Sequence, residues 1–157
     1  MARRAPSSKQ SGFTLLELTV SLAVAVILTS VAVPVVSKVM LSYRMRSSVA
    51  AMTGAINATR YKAIYQGYPF AVTFSKTDGT YQLSSKTPGS SSFSNVGSAV
   101  PYQAAGMGLD QDNTLTFSPS GLVTSSVGSP ITLKLSYQNK TDTITVSTYG
   151  NVSVKEQ

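Results

Sequence analysis

The chain has 157 residues, with 13 lysines and arginines, 6 aspartates and glutamates, and neither cysteine nor histidine. Without cysteine it can form no disulfide and no thiolate metal site. General acid–base catalysis near neutral pH draws mainly on histidine or on tuned carboxylate pairs. The acids here are scattered along the chain, so we expect a protein that is not an enzyme and that has no cofactor or metal. The formal net charge is +7.

An uncharged apolar run extends from Leu18 to Ser37. Its length is close to the about 20 residues that a helix needs to cross a bilayer. Its few polar side chains can bond to the helix's own carbonyls. Basic residues precede the run, which favours a cytoplasmic N-terminus. They are Arg3, Arg4 and Lys9.

Two ordinary interpretations of this run are open. One is a cleaved secretory signal, with Ser30-Val31-Ala32 as the cleavage site and a secreted soluble β domain as the product. The other is a plain signal anchor. Glu17 argues against both, because a charge one turn into an apolar helix costs about 3 kcal/mol on insertion scales unless it has a partner.

The segment Gly12-Phe13-Thr14-Leu15-Leu16-Glu17 resembles the prepilin cleavage and N-methylation motif of type IV pilins and type II secretion pseudopilins. The flanks match too, with a short basic leader before the motif and an uninterrupted apolar helix after it. The resemblance implies cleavage by a prepilin peptidase after Gly12 and N-methylation of Phe13. It also implies that Glu17 neutralises the N-terminal ammonium of a neighbouring subunit and so sets the register of assembly.

The resemblance further implies a location and partners. The subunit would be a single-pass protein of the inner membrane with a cytoplasmic N-terminus and a periplasmic head. Its partners would be other pilin or pseudopilin subunits, the prepilin peptidase and an inner-membrane assembly platform. The expected segments are a leader at 1–12, a transmembrane helix at 13–37, an amphipathic helix at 38–66 and a β-rich head at 67–157.

Beyond the apolar run, Pro34 is expected to kink the helix. An apolar stripe at helical spacing follows, and Gly67 and Pro69 end the pattern. The stripe consists of Met45, Val49, Met52, Ile56 and Ala63. The sequence therefore predicts one long helix over about 13–66.

The remaining chain shows strand periodicity. Alternating apolar residues predict a hairpin over 70–83, a strand near 115–117, a clear strand over 131–137 and two further strands at 144–146 and 152–154. Residues 84–113 are rich in Ser, Gly and Pro and are predicted to form an irregular loop. The fold class is thus α+β, with a long helix packed against an antiparallel β head.

Residues 117–121, Phe-Ser-Pro-Ser-Gly, and the final strand pair 144–152 resemble the GspH/FimT group of minor pseudopilins. That resemblance implies a structural subunit near the tip of a type II secretion pseudopilus or a type IV pilus. Some members bind DNA through arginines near the last glycine turn, where this chain has only Lys155. A DNA-binding minor pilin for DNA uptake is therefore the alternative, and nucleic acid is not the expected partner.

Three other features of the sequence are candidates for binding or contact sites. The basic helix residues Arg44, Arg46, Arg60 and Lys62 could contact phosphates, but a solvated or lipid-facing surface is the preferred interpretation. Asp110-Gln111-Asp112-Asn113 has oxygen ligands at alternating positions that could suit calcium, but a solvated turn is the preferred interpretation. For Phe93 and Tyr102 two interpretations stay open, subunit contacts and core packing.

Overall fold

The computed structural model describes residues 12–102 and 106–156, except for the side chains at positions 31 and 34. The basic leader residues therefore lie outside the described part, apart from Gly12. The chain divides into two compact units, Met1–Met40 and Leu41–Gln157.

Helix α1, Leu15–Gln66, contributes to both units. It begins after Thr14, whose hydroxyl accepts a hydrogen bond from the backbone N–H of Glu17 at 3.2 Å, the arrangement of an N-cap. Within the apolar run, five hydroxyls donate to carbonyls three or four residues earlier, as the sequence predicts; they belong to Thr19, Ser21, Thr29, Ser30 and Ser37. The helix assignment continues through position 34, and the kink at Pro34 stays a prediction.

The second part of α1 carries the predicted stripe. Met45, Val49, Met52, Ile56 and Ala63 are all buried, which confirms the helical period read from the sequence. The helix ends at a glycine with a positive φ, as helices commonly do. Gly67 has φ 74°, and its N–H donates to the carbonyl of Ala63 at 3.1 Å.

The described part of the head contains ten strands, all paired antiparallel. They are β1 Phe70–Phe74, β2 Thr80–Ser85, β3 Ser94–Asn95, β4 Val100–Pro101, β5 Met107–Leu109, β6 Asn113–Phe117, β7 Val123–Ser125, β8 Ile131–Tyr137, β9 Lys140–Val146 and β10 Val152–Glu156. One sheet has the order β3-β2-β1-β6-β7, with β4 also paired to β2. The other has the order β10-β9-β8-β5.

The predicted irregular loop over 84–113 is partly wrong. It contains β3, β4 and β5, and β7 was also missing from the prediction. These strands have two or three residues each, too few to show a period of two. Partners distant in sequence make them strands: Met107 pairs with Tyr137 and Leu109 with Leu135.

A single hydrophobic cluster lies within the second unit. It joins the buried stripe of α1 to the inward-facing residues of the strands, from Phe70 to Val146. Strand β8 shows the pattern most clearly, since Ile131, Leu133, Leu135 and Tyr137 are buried and the residues between them are not. The α+β architecture predicted from the sequence is confirmed.

Candidate functional site

The N-terminal motif lies in a short stretch without regular structure followed by the first turn of α1. Residues 12–14 are neither helix nor strand, and all three are exposed. An ideal Cβ built on Gly12 would meet nothing within 4 Å, and the side chain of Phe13 is 79% exposed. The bond between residues 12 and 13 is thus open to approach by an enzyme.

Glu17 is exposed in the first turn of α1. A carboxylate at this position is favoured by the positive end of the helix dipole. Among residues 12–102 and 106–156, no lysine or arginine forms a salt bridge with it; Arg46, for example, pairs with Glu156. The carboxylate of Glu17 therefore has room for a cation from outside the described chain.

The apolar run that follows is uncovered within the described residues. One stretch of α1 is long and apolar enough to cross a membrane, with a mean hydropathy of 2.4 and none of it buried. Exposed fractions of its large side chains include 81% for Leu15, 64% for Leu22 and 66% for Leu28. Such a surface requires lipid or other apolar helices around it.

The basic residues of α1 have different neighbours. Arg44 donates from Nη1 to the hydroxyl of Tyr137 at 3.2 Å. Arg46 lies 3.3 Å from Glu156, but the two side chains are 69% and 60% exposed, so this pair contributes little to stability. Lys62 on α1 and Lys155 on β10 are exposed.

Arg60 contacts two glycine turns that are distant in sequence. An ideal Cβ on Gly150 would lie 2.7 Å from both Cδ and Nε of Arg60, and one on Gly121 would lie 3.5 Å from Nε. Arg60 Nη1 also donates to the carbonyl of Gly150 at 3.5 Å. At position 150 only glycine leaves this space for the arginine stem, whereas at Gly121 the approach is an ordinary van der Waals contact. Arg60 thus packs against both turns.

The two turns have the same hydrogen bonds. In one, Gly121 N–H donates to the Ser118 carbonyl at 2.9 Å; in the other, Gly150 N–H donates to the Ser147 carbonyl at 2.7 Å. Both glycines have positive φ, 81° and 77°. From the sequence, these segments indicate only a family resemblance, and their contact with Arg60 was not predicted. The repeated Ser-x-x-Gly pattern at 118–121 and 147–150 was the available signal.

Residues 110–112 form an exposed bend held by Lys76, whereas Asn113 begins β6, so the predicted solvated turn is wrong at position 113. Asp112 Oδ1 accepts the backbone N–H of Lys76 at 2.7 Å, and the Asp110 carbonyl accepts its Nζ at 3.0 Å. Asn113 is buried, with Oδ1 accepting from the hydroxyl of Ser125 at 2.7 Å. Within residues 12–102 and 106–156, no three acidic, histidine or cysteine side chains form a metal-binding group.

Tyr102 is a core residue, 3% exposed, whereas Phe93 is 40% exposed. The Tyr102 hydroxyl donates to the carbonyl of Ser75 at 2.9 Å. Burial, and secondarily the negative charge of Asp112, raises the pKa of Tyr102 to about 12. Of the two interpretations left open from sequence, core packing is therefore correct for Tyr102.

An apolar groove of about 510 Å³ lies between α1 and β10. Small residues of α1, among them Ala50 and Gly54, line it together with Val154 of β10. Charged side chains also line it; they belong to Arg46, Asp142 and Glu156.

Comparison with known proteins adds to this geometry. The family model described as "Prokaryotic N-terminal methylation motif" matches residues 7–33. No curated protein sequence matches the chain significantly. The fold is similar to that of the minor pseudopilin EpsH from the type 2 secretion system of Vibrio cholerae, with TM-score 0.56 and 16% identity over 72% of this chain and 96% of that one.

A second similar structure is the type IV minor pilin FimU of Pseudomonas aeruginosa. Its TM-score is 0.53 and its identity 14%, over 76% of this chain and 90% of that one. At these identities the likeness concerns the fold. The chain is therefore pilin-like: it combines an N-terminal methylation motif, an apolar helix able to span a membrane, and the head architecture of minor pilins and pseudopilins.

Proposed function

We propose that the chain is a minor pilin or pseudopilin subunit of the GspH/FimT group, stored in the inner membrane and assembled into a filament. The observation that carries this proposal is the exposed motif Gly12-Phe13 directly before an uncovered apolar helix with Glu17 in its first turn. The pilin-like head supports it, because both similar structures are minor subunits of such filaments. The role is structural and not enzymatic.

The proposed processing follows from the local structure. A prepilin peptidase reaches the bond after Gly12, where the chain is exposed and the missing side chain leaves space. Cleavage gives Phe13 a new α-amino group, which is then methylated. It also removes Arg3, Arg4 and Lys9, and with them the positive charges that keep the N-terminus in the cytoplasm.

Glu17 then serves assembly by pairing with the N-terminal ammonium of a neighbouring subunit. Two opposite charges attract strongly in an apolar helix bundle, and each is costly there without the other. A subunit that enters the filament in the wrong axial position leaves both charges unpaired. The pair therefore favours one register over its neighbours.

N-terminal sequencing and intact mass test the processing step. Chain purified from a host that expresses a prepilin peptidase is expected to begin at methylated Phe13, and chain from a host without the peptidase is expected to keep its leader. A terminus at Val33 would instead identify an ordinary secretory signal cleaved after Ala32. That result would overturn the proposed function.

Glu17→Ala and Glu17→Gln test the register role. Both variants are expected to be processed and membrane-bound but to enter filaments at least about tenfold less, since one unpaired charge costs more than 1.4 kcal/mol in the bundle. Ser21→Ala is the matched control, because Ser21 lies one turn further and bonds only to its own helix. Incorporation of the Glu17 variants at the control level would exclude this role.

A further inference from the structure

The turn between β8 and β9 contacts the first residues of α1 in the second unit. Lys140, at its end, donates from Nζ to the hydroxyl of Ser42 at 2.9 Å. Tyr137, at its start, accepts from Arg44 Nη1 at 3.2 Å. Both ends of the turn are thus fixed beside residues 42–44, and Gln138 and Asn139 are exposed between them.

Chain connectivity limits the distance between this turn and the end of the apolar run. Ser42 is five residues beyond Ser37, the last residue of the apolar run. Five residues span about 7.5 Å as a helix and at most about 18 Å fully extended, whatever the direction of the chain. The polar layer on each side of the hydrocarbon core is about 5–8 Å thick. Ser42, which the turn contacts, therefore lies within about 18 Å of the last residue of the apolar run, whatever the conformation of the residues between them.

The accessible charge on this surface is positive. Arg44 and Lys140 are exposed, and their hydrogen bonds go to neutral hydroxyl groups. Lys140 shares a cleft with two acids, of which Asp142 is only 4% exposed and Glu156 is paired with Arg46. Tyr43, 70% exposed, adds an aromatic ring of the kind enriched at membrane interfaces.

We propose that Arg44 and Lys140, with the β8–β9 turn between them, bind the headgroups of anionic phospholipids on the membrane face beside the head. This inference rests on the proposed function, because it concerns the subunit while it is stored in the membrane. Each cation near an anionic lipid surface favours the bound over the unbound orientation by roughly fivefold. That is too little to anchor a protein, but it is enough to favour one orientation of a head already tethered by its helix.

The occupant is a lipid surface and not free phosphate, because the two cations lie on either side of an exposed turn and not in an enclosed pocket. The described residues at this turn offer no buried donors that converge on a single small anion. A flat array of headgroups fits such a surface, and its effect weakens as salt is added. Extraction of the subunit from the membrane then breaks these contacts together with the lipid contacts of the helix.

The absence of native cysteine allows a clean test with one spin label. Asn139→Cys places the label on the exposed turn. Thr87→Cys is the control, because Lys86 N–H donates to the carbonyl of Pro69 at 2.9 Å, which fixes this position beside the distal end of α1. The full chain is reconstituted into vesicles of phosphatidylcholine alone or of phosphatidylcholine mixed equally with phosphatidylglycerol. Accessibility to a water-soluble paramagnetic reagent is then measured.

With phosphatidylglycerol, accessibility at position 139 is expected to fall several-fold. High salt, or the added pair Arg44→Gln and Lys140→Gln, should restore it. The label at 87 should not respond, and inorganic phosphate added to phosphatidylcholine vesicles should have no effect. Equal accessibility at 139 in both lipids, or an equal fall at both positions, would overturn the inference. A chain that fails to float with the vesicles would instead count against the proposed membrane anchoring.

Discussion

At the scale of single residues, Gly150 is required both for its backbone conformation and for the space that it leaves to Arg60. Its φ of 77° disfavours any residue with a side chain, and a Cβ would lie 2.7 Å from two atoms of the arginine. Gly89 isolates the first effect, since it has φ 86° and nothing within 4 Å of an ideal Cβ. The two glycines therefore form a matched pair.

We expect Gly89→Ala to cost about 1 kcal/mol of unfolding free energy, and Gly150→Ala to cost about 2 kcal/mol or more because Arg60 must also move. Chemical denaturation of the full chain in detergent measures both. Adding Arg60→Ala should remove the excess, which makes this a double-mutant cycle. Equal losses at the two glycines would mean that Arg60 yields without cost and does not join α1 to the turns.

Residues in a contiguous motif were predictable and residues in long-range contacts were not. Gly12, Phe13 and Glu17 lie within six positions of each other, and a charge in an apolar run is visible in the sequence alone. Arg60 was grouped with the other helix cations, because nothing local indicates that residues 121 and 150 lie beside it. The expected roles of Gly12, Phe13 and Glu17 remain predictions that the processing and assembly experiments decide.

At the scale of elements, Tyr102 fixes the end of β4 to the turn between β1 and β2. Its hydroxyl donates to the Ser75 carbonyl, its backbone N–H donates to the Gly79 carbonyl at 3.1 Å, and its ring meets Phe74 edge-on at 5.8 Å between centroids. This explains how a segment without sequence periodicity is held against the sheet. The segment is held in place by one buried tyrosine ring and not by an alternating pattern of apolar residues.

The raised pKa of Tyr102, about 12, makes the stability of the head depend on alkaline pH. Between about pH 10, the pKa of an unfolded tyrosine, and pH 12, the folded state keeps this proton while the unfolded state loses it. Unfolding free energy therefore falls as pH rises, by up to about 1.4 kcal/mol per pH unit from this group. Tyr102→Phe should reduce that slope, as measured by denaturation at several pH values between 9 and 12.

At neutral pH, Tyr102→Phe should cost about 1 kcal/mol, because the Ser75 carbonyl loses one of its two donors and keeps only the N–H of Gly79. Tyr149→Phe is the control for that loss, since Tyr149 is 70% exposed, and it should leave the unfolding free energy at pH 7 unchanged. A Tyr102→Phe variant with the same alkaline slope as the parent chain would show that other groups cause the dependence.

Elements with strong periodicity were predictable within a few residues. The buried stripe of α1 and the alternation in β8 are visible because each continues for several periods. Strands β3, β4, β5 and β7 are too short for that, and they exist because longer strands offer unpaired edges beside them. For β4 and β5 the partner strand is distant in sequence, and for β3 and β7 the partner is close but the pairing covers only two or three residues, so local pattern could not reveal them.

At the scale of the whole molecule, the two units differ in where their apolar side chains lie, exposed in the first unit and buried in the second. Every described side chain from residue 12 to residue 40 is exposed, and the hydrophobic cluster begins only at Met45. Cohesion of the head therefore requires nothing from the first unit. The anchor contributes an apolar surface for lipid or for other subunits, and the head contributes a separately stabilised body.

We accordingly expect residues 41–157 to fold without the anchor and to remain in solution without detergent. The unfolding free energy should lie close to that of the full chain, because no buried contact is removed and the remaining part of α1 is held by its apolar stripe. Ile56→Ala serves as an internal standard. Truncating this fully buried side chain should lower the unfolding free energy by about 2–5 kcal/mol in both the short and the full chain. Circular dichroism during denaturation measures all four proteins. The contrary results are a short chain that unfolds without a cooperative transition, or one whose unfolding free energy Ile56→Ala lowers much less than that of the full chain. Either result would mean that the apolar half of α1 takes part in folding the head and does not serve only as an anchor.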